Sequence, residues 1–340
     1  MSSRRLVIAA EAAADTGVGH FVRCTALGDA AARAGWDVSV LLRPDAIDWA
    51  HEQARQRGWS AHTTVWTPEA VIGHVTTLGE GAVLVVDSYR VDTAWMSAVR
   101  GRVPRLVLVD DVADRLLDVD LVVNQNLGAQ ELDTRLGEGT ELLAGPSYAL
   151  LRPDFTGRRE QALAALDALP DVPRRVLVMM GGTDPSGSAL RVARVAAQSY
   201  PHAQVDVVVP GRTSAHREGR VTELPRVDDV AERMLAADLV VTAAGSTVWE
   251  LSCLARPVAA LEVADNQTDV YRRLVAQDLV IGLGRLPVDE AAIGAALRSV
   301  TDRAGGLRGL ADGLSSLVDG RGALRVLDHA GQPNVRSAHP

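Results

Sequence analysis

The sequence has 340 residues, is 47% hydrophobic and carries a formal net charge of -8 at pH 7. The length predicts two domains of roughly 150–170 residues with a cleft, and the hydrophobic fraction predicts a soluble globular protein. The negative charge argues against a nucleic-acid partner bound through a broad basic surface. No apolar run approaches the ~20 residues that a membrane span requires, so none is predicted.

Arginine and cysteine usage exclude further mechanisms. All 35 basic residues are arginine, and the absence of lysine excludes a lysine Schiff base, an internal pyridoxal aldimine and a P-loop lysine. Cys24 and Cys253 fall in helical patterns of different halves, which argues against a disulfide or a cysteine-based metal site and favours two small core residues. Residues 1–5 lead into a predicted strand without the apolar core of a signal peptide, which favours a cytoplasmic protein.

Short apolar runs alternate with helical patterns through the first half of the chain. Continuous β-branched runs separated by helices are typical of a parallel sheet covered on both faces. Ligands bind beyond the carboxyl ends of such strands, where residues 17–20, 87–89 and 110–111 are expected to lie. The helix from Gly19 to Ala34 is expected to end at Gly35 in a left-handed conformation. The predicted strands are Leu6–Ala10, Val38–Leu42, Val83–Val86, Leu106–Val109, Leu121–Val123 and Leu142–Leu143.

A charged, alanine-rich segment between Arg152 and Pro173 interrupts this pattern, which restarts at Arg175. We therefore predict one domain over residues 1–155, a second over 174–331 and a disordered tail over 332–340. The expected fold class is α/β, with two doubly wound, Rossmann-like domains facing a central cleft. The predicted elements of the second half are strand Val176–Met180, a helix to about Ser199, strand Val205–Val209, helix Val227–Ala236 and strand Leu239–Thr242.

The turn Asp15 to His20 connects the first predicted strand to the first predicted helix. Gly17 and Gly19 allow the backbone to approach a ligand closely, and the helix directs unsatisfied N–H groups toward it. Similar turns also occur as plain strand-to-helix connections. The turn therefore indicates a site only together with its neighbours.

His20 and Arg23 lie three residues apart on one face of this helix, so that an imidazole and a guanidinium can converge on one ligand. The positive N-terminus of the helix favours the neutral form of His20, which a general base needs. Glu11, Asp87 and Asp110 are the candidate carboxylates to orient or activate it.

The second half contains a candidate phosphate site at Gly245, Ser246 and Thr247, between a buried strand and a helix. Hydroxyl and N–H donors there lie at the positive end of the helix. Glu250 is four residues beyond Ser246 on the same face, within reach of a ribose diol. The alternative is an ordinary capped helix with a solvated glutamate.

Two further turns of the second half favour the same kind of ligand. Gly181 and Gly182 follow the first strand of this half and allow close backbone approach. Asp265, Asn266 and Gln267 follow a later strand and can donate to and accept from sugar hydroxyls, although a helix cap would use the same residues.

The segment Asp118-Val119-Asp120 resembles the metal-binding Asp-x-Asp of some sugar transferases. It precedes a predicted strand, whereas a ligand-binding segment is expected to follow one. We interpret it as a turn and expect neither a metal ion nor a cofactor.

Taken together, these segments resemble the PseG/SpsG family of nucleotide-sugar hydrolases, which has the GT-B architecture and is related to the MurG glycosyltransferases. The resemblance covers most of the chain. The matching segments are residues 17–24, 86–89, 109–115, 145–155, 181–185, 243–250, 265–267 and 319–323.

The resemblance implies an N-terminal acceptor and catalytic domain and a C-terminal domain that holds UDP or another nucleoside diphosphate. His20 would act as the base on water, and the anomeric C–O bond of a nucleotide sugar would be cleaved with inversion and without metal. The expected catalytic residues are His20 and Asp87. The expected substrate contacts are Gly17, Gly19, Arg23, Glu11, Tyr89, Asp265, Asn266 and Gln267, and the expected nucleotide contacts are Gly181, Gly182, Gly245, Ser246, Thr247 and Glu250.

The sequence departs from the family on the acceptor side. The family commonly has Arg and Asp where this chain has Ala9 and Glu11, and Arg90 stands where the family has Gly. Such changes are expected if a small molecule replaces water as the acceptor. An inverting GT-B glycosyltransferase is therefore an alternative to the hydrolase, and a non-catalytic sugar-nucleotide sensor is an alternative of a different class.

Overall fold

The computed structural model describes residues 4–14, 16–181, 184, 186–287 and 289–332. The chain forms two compact units, Met1–Pro153 with Arg321–Pro340, and Asp154–Gly320. The strands are β1 (Arg5–Ala10), β2 (Asp37–Leu42), β3 (Ser60–Thr63), β4 (Ala82–Asp87), β5 (Arg105–Val109), β6 (Leu121–Asn124), β7 (Glu141–Ala144), β8 (Arg175–Met179), β9 (Gln204–Val208), β10 (His216–Glu218), β11 (Val221–Leu224), β12 (Leu239–Ala243), β13 (Val258–Glu262) and β14 (Ile281–Arg285). The α-helices are α1 (Gly19–Arg33), α2 (Asp48–Gln56), α3 (Pro68–Thr76), α4 (Thr93–Val99), α5 (Pro153–Thr156), α6 (Arg159–Ala164), α7 (Ser188–Ser199), α8 (Val230–Ala236), α9 (Thr247–Cys253), α10 (Thr268–Ala276), α11 (Glu290–Arg298), α12 (Gly306–Ser315) and α13 (Gly322–Ala330).

The sheet of the first unit is parallel throughout, in the order β3-β2-β1-β4-β5-β6-β7. Leu6 and Ile8 of β1 pack in the core that includes α1, whereas Val7 packs on the other face with side chains of α3 and α4. Helices therefore cover both faces, and the six apolar runs predicted as strands in this half are confirmed. Gly35, with φ of 80°, lies just beyond α1 as predicted.

The strand order of the first sheet reverses direction between β1 and β4, which pair from Arg5 opposite Ala82 to Ala10 opposite Asp87. At such a switch point the connections leave in opposite directions and open a crevice beyond the carboxyl ends of the strands. Glu11 and the start of α1 follow β1, and Asp87 is the last residue of β4. The topology thus brings these predicted residues to one edge.

The sheet of the second unit has the order β10-β11-β9-β8-β12-β13-β14, and β10 and β11 form its antiparallel pair. The other strand pairs are parallel, and the order reverses between β8 and β12. The elements predicted in this half are confirmed within a few residues. The sequence missed β3 and the short β10, because all their residues are exposed and present no apolar run. It also missed β11 and β14, in which polar residues or glycines interrupt the apolar ones.

The last described helix, α13, belongs to the first unit, whereas the sequence placed residues 174–331 in the second domain. Val326 and Leu327 are buried in the core that contains α1 and β1. A Cβ on Gly322 would stand 2.2 Å from the carbonyl oxygen of Ala149, so only glycine fits where α13 begins. The apolar stripe of α13 therefore completes the first core, which a linear reading of the chain does not reveal.

Two remaining expectations concern the cysteines and the membrane. Cys24 and Cys253 are both free thiols and both buried, as predicted. Among the described residues, no helix has the length and apolar character needed to cross a bilayer.

Candidate active site

Backbone hydrogen bonds hold the start of α1 over the ends of β1 and β4. The N–H of Glu11 donates to the carbonyl of Asp87 at 3.1 Å, and the N–H of Phe21 donates to the carbonyl of Glu11 at 3.2 Å. Because Phe21 follows His20 directly, these bonds fix the histidine beside the last residue of β4. A short turn thus aims the first helical turn at the switch point.

His20 and Asp87 form a close pair. The Nδ1 atom of His20 lies 3.0 Å from Oδ1 of Asp87, and the Asp87 side chain is buried. An ionised carboxylate keeps the proton on Nδ1, which leaves Nε2 as the nitrogen that can accept a proton. The arrangement is that of an oriented general base.

Arg23 connects the same carboxylate to a second one. It donates to Asp87 through Nε at 2.5 Å and NH2 at 2.7 Å, and to Asp111 through NH1 at 2.8 Å. Burial opposes ionisation of Asp87, but the charge and hydrogen bonds of Arg23 hold the pKa of Asp87 well below its usual range. Asp87 therefore stays ionised beside His20.

The protonation balance of His20 differs from the expectation. Burial lowers the pKa of His20, but the hydrogen bond and negative charge of Asp87 outweigh it, and the net shift is upward from 6.5. The helix N-terminus was expected to favour neutral His20, but the net effect of its surroundings favours the protonated form. The reason is that a carboxylate in contact acts more strongly than the partial charge of a helix end.

Tyr89 completes the surroundings of His20. Its hydroxyl donates to Asp111 Oδ1 at 2.7 Å, and its ring meets the imidazole edge to face at 4.5 Å between centroids. Burial and the Asp111 charge raise the pKa of Tyr89, so its hydroxyl stays protonated. Asp111 was not among the predicted site residues. The sequence did place the pair Asp110-Asp111 beyond the carboxyl end of a strand, and this position could have identified it.

Glu11 has its own set of neighbours at the same edge. The Ser88 hydroxyl donates to Glu11 Oε1, and Arg90 Nε lies 3.6 Å from the same oxygen. Arg90 also pairs with Asp45 at 3.0 Å. The other oxygen, Oε2, is buried and has no hydrogen-bond partner among the residues that the structure describes. This oxygen can still accept a hydrogen bond.

Two candidates on this side have other roles. Asp110 accepts from the backbone N–H groups of Val112 and Ala113 at 3.1 and 2.7 Å and pairs with Arg115, so it shapes its own loop and does not orient His20. Ala9, one of the departures from the family assigned to the acceptor side, is 1% exposed and packs in the core on the sheet face opposite α1.

The predicted turn glycines lie beside the site with space around them. Gly17 has a φ of 75°, a conformation that favours glycine, and its N–H donates to the carbonyl of Ala13 at 2.8 Å. A Cβ on Gly17 or on Gly19 would meet nothing within 4 Å among the described residues. Asp15 lies outside the described part of the chain.

In the second unit, the predicted nucleotide residues follow β8 and β12, the two strands at its switch point. Gly181, with φ of 79°, follows β8, and Gly182 lies outside the described residues. Gly245 and the exposed Ser246 lead from β12 into α9, which begins at Thr247, and Glu250 is partly buried one turn later. These turns have the positions expected of a phosphate site.

The segment Asp265, Asn266 and Gln267 meets this turn through its glutamine. Gln267 Oε1 accepts from the N–H of Val263 at 3.0 Å, and its Nε2 would be 3.6 Å from a Cβ placed on Gly245. Asp265 pairs with Arg285, which also donates to Glu262 at 2.9 Å. Within the described residues, Ser246 and Gln267, at the N-cap positions of α9 and α10, make no capping hydrogen bond through their side chains.

The Asp-x-Asp segment before β6 has structural contacts. Asp118 accepts from Ser97 and pairs with Arg100, and Asp120 accepts from the N–H of Leu106 at 2.8 Å. Across the described ranges, no cluster of three or more His, Cys, Asp or Glu side chains has the arrangement of a metal site.

Comparison with solved structures identifies the fold. The chain is similar to Acinetobacter baumannii MurG, with a TM-score of 0.65 and 13% identity over 96% of this chain and 99% of that one. It is similar to spinosyn forosaminyltransferase SpnP, with a TM-score of 0.66 and 15% identity over 97% and 100%. Medicago truncatula UGT71G1, solved with UDP-glucose, matches with a TM-score of 0.59 and 13% identity over 97% and 99%. The chain therefore has the GT-B fold, as predicted.

Sequence comparison adds little beyond the fold. No protein-family model matches the chain. An uncharacterised protein of Methanocaldococcus jannaschii, MJ1062, is 22% identical over 204 residues, which is 56% of this chain and 42% of the relative. The chain thus spans less than half of that relative's length, and the PseG/SpsG resemblance stays a prediction.

Proposed function

We propose that this protein is an enzyme that cleaves a nucleotide sugar at its anomeric carbon with inversion, releasing the free sugar and a nucleoside diphosphate. The first unit supplies the general base, and the second binds the nucleoside diphosphate. The observation that carries the proposal is the His20–Asp87 pair at the switch point of a GT-B fold. No metal or cofactor takes part in the proposed reaction.

The reaction follows from the chemistry of this pair. His20 Nε2 takes a proton from the attacking hydroxyl, whose oxygen forms a bond to the anomeric carbon. The bond from that carbon to the phosphate oxygen breaks on the opposite face, and its electron pair leaves with the nucleoside diphosphate. Asp87 stays ionised and stabilises the imidazolium that forms.

The leaving group requires a site for its negative charge. Backbone N–H groups and hydroxyls at residues 181–182 and 245–247 would bind the phosphates, Glu250 the ribose, and residues 265–267 the sugar hydroxyls. Fixed donors of this kind stabilise charge that develops in the transition state, and they need no lysine.

Water is the proposed acceptor. The ordered motifs resemble those of nucleotide-sugar hydrolases, and the core position of Ala9 removes one of the three sequence changes that favoured another acceptor. A base and an attacking water are sufficient for this reaction, whereas a larger acceptor needs recognition of its own.

Transfer to a small-molecule acceptor is the second candidate. It is favoured by Oε2 of Glu11, which has no hydrogen-bond partner among the described residues, and by the similarity to a structure named as a forosaminyltransferase. Under this alternative His20 would deprotonate an acceptor hydroxyl in place of water.

Turnover distinguishes an enzyme from a non-catalytic sensor. A panel of nucleotide sugars with different bases is incubated with the protein, and free nucleoside diphosphate is measured. His20→Ala should lower kcat by about 10²–10⁴-fold and keep nucleotide affinity, whereas Glu250→Ala should weaken nucleotide binding. His202→Ala, at an exposed turn of the second unit, is the matched control and should change neither. Tight donor binding without turnover would support the sensor.

Labelled water separates hydrolysis from transfer. The cognate donor is incubated in ¹⁸O water, alone and with candidate acceptors, and the products are analysed by mass spectrometry. Entry of ¹⁸O into the free sugar without an acceptor supports the hydrolase. Negligible release until an acceptor is added, with an unlabelled conjugate as product, would replace it by the transferase.

A further inference from the structure

Five side chains of the first unit form a closed circuit of contacts. His20 contacts Asp87 at 3.0 Å, Asp87 binds Arg23 through two bonds, and Arg23 donates to Asp111 at 2.8 Å. Asp111 accepts from Tyr89 at 2.7 Å, and the Tyr89 ring returns to His20 at 4.5 Å. Asp111 therefore lies three contacts from His20 through Asp87 and Arg23, and two contacts from it through Tyr89.

The charges of the side chains in this circuit do not cancel. Arg23 carries one positive charge, and Asp87 and Asp111 can each carry one negative charge. With Arg23 bound to Asp87 alone, its charge would cancel most of the field that the carboxylate exerts on His20. The third guanidinium bond, to Asp111, supplies a second anion, so that the group next to His20 has a net charge of about -1.

Other titratable groups around this site do not replace Asp111. The Cys24 thiol donates to Asp87 Oδ2 at 3.4 Å, and burial raises the pKa of Cys24 well above its ordinary value, so it is neutral. Glu11 is engaged with Ser88 and Arg90. Tyr89 stays protonated and contributes no charge.

We propose that Asp111 is a positioning residue for the base: it balances the charge of Arg23 so that Asp87 acts on His20, and it fixes the Tyr89 ring against which the imidazole packs. The role of His20 as the general base rests on the proposed function, but the effect of Asp111 on the pKa of His20 does not depend on any substrate. Asp111 stabilises the imidazolium through a chain of partners without touching the reacting atoms.

The test is an NMR titration of His20 in the full-length protein, without substrate. The imidazole signal is assigned by its loss in His20→Gln. Asp111→Asn should lower the pKa of His20 by about 1–2 units, the range for a unit charge roughly 6–12 Å away at an effective dielectric constant near 20. Asp111→Glu, which keeps the charge, should restore the titration toward that of the unmodified protein.

Two control variants separate charge from position. Asp114 lies on the same loop, exposed and paired with Arg115, so Asp114→Asn removes a charge outside the circuit and should leave the His20 titration unchanged. Tyr89→Phe removes the hydroxyl contact but no charge, and it should shift the titration by less than Asp111→Asn does. Asp111→Ser is the substitute if the asparagine variant does not fold.

An unchanged His20 titration in Asp111→Asn or Asp111→Ser would overturn the proposal, as would an equal shift in Asp114→Asn. A lowered titration in Asp111→Asn that glutamate restores would support it, even if no nucleotide sugar is turned over. If turnover is established, the acid limb of the kcat/KM profile should move to lower pH by the same amount. Loss of activity in Asp111→Asn without a shift would count against the proposal.

Discussion

Replacing Arg23 by methionine should destabilise the first unit by about 3 kcal/mol. The methionine side chain resembles the arginine stem in length but donates no hydrogen bond and carries no charge. Arg23 is 9% exposed and Asp87 is fully buried, so solvent cannot replace the lost partner. The substitution therefore leaves a buried carboxylate without its main counterion.

The magnitude follows from the bonds that are lost. Arg23 donates at 2.5 and 2.7 Å to Asp87 and at 2.8 Å to Asp111. Removing one partner of a buried ion pair costs about 3–5 kcal/mol. Without Arg23, the negative charge of Asp87 would keep His20 protonated, and the two would remain in contact as an ion pair. Because His20 then replaces part of the lost counterion, the expected loss of stability lies at the lower end of that range.

Urea unfolding followed by tryptophan fluorescence measures this loss, because five of the six tryptophans belong to the first unit. Arg33→Met, on the exposed side of the same helix, is the matched control and should change the free energy of unfolding by less than about 0.5 kcal/mol. Adding Asp87→Asn to Arg23→Met should recover part of the loss, because both charges are then removed. A loss below about 1 kcal/mol for Arg23→Met would refute the reasoning.

Three further outcomes are expected. The contact with Asp87 raises the pKa of His20 in the folded protein, so the stabilisation from protonated His20 is full below about pH 6.5 and is lost as pH rises through the raised pKa. The unfolding free energies of the unmodified protein and of His20→Gln should therefore differ most at low pH and converge as the pH rises above about 6.5. Gly28→Ala should lower the free energy of unfolding by about 1–3 kcal/mol in the same assay, because the added Cβ would stand 2.4 Å from the Trp59 ring. Gly73→Ala is the control: its Cβ would lie in open space on α3, and the free energy of unfolding should rise by up to about 1 kcal/mol. Turnover of the cognate donor should survive EDTA, and activity that EDTA abolishes and magnesium or manganese restores would reject the metal-free reaction.

Much of the fold and of the candidate site could be predicted from local patterns. The apolar runs that became β1, β2, β4 and β5 needed only neighbouring residues to be recognised, since a strand buried on both faces is apolar along its length. The position of His20 followed from the same reasoning, because the carboxyl end of one strand and the start of one helix are joined by a short turn. The exposed edge strand β3 has no such signature and was missed.

The sequence by itself determined the fold class and which strand ends carry polar side chains, because those features depend on residues close together in the chain. The tertiary structure decided the partners: Asp111 meets Arg23 across 88 positions, and α13 returns to the core of the first unit. The tertiary structure also decided the direction of the His20 pKa shift. The helix N-terminus, which lowers the pKa, can be recognised from neighbouring residues, whereas Asp87, which raises it from 3.0 Å away, lies 67 residues along the chain. The same holds for Ala9, because a strand apolar on both faces does not reveal which face each residue occupies until the helices pack.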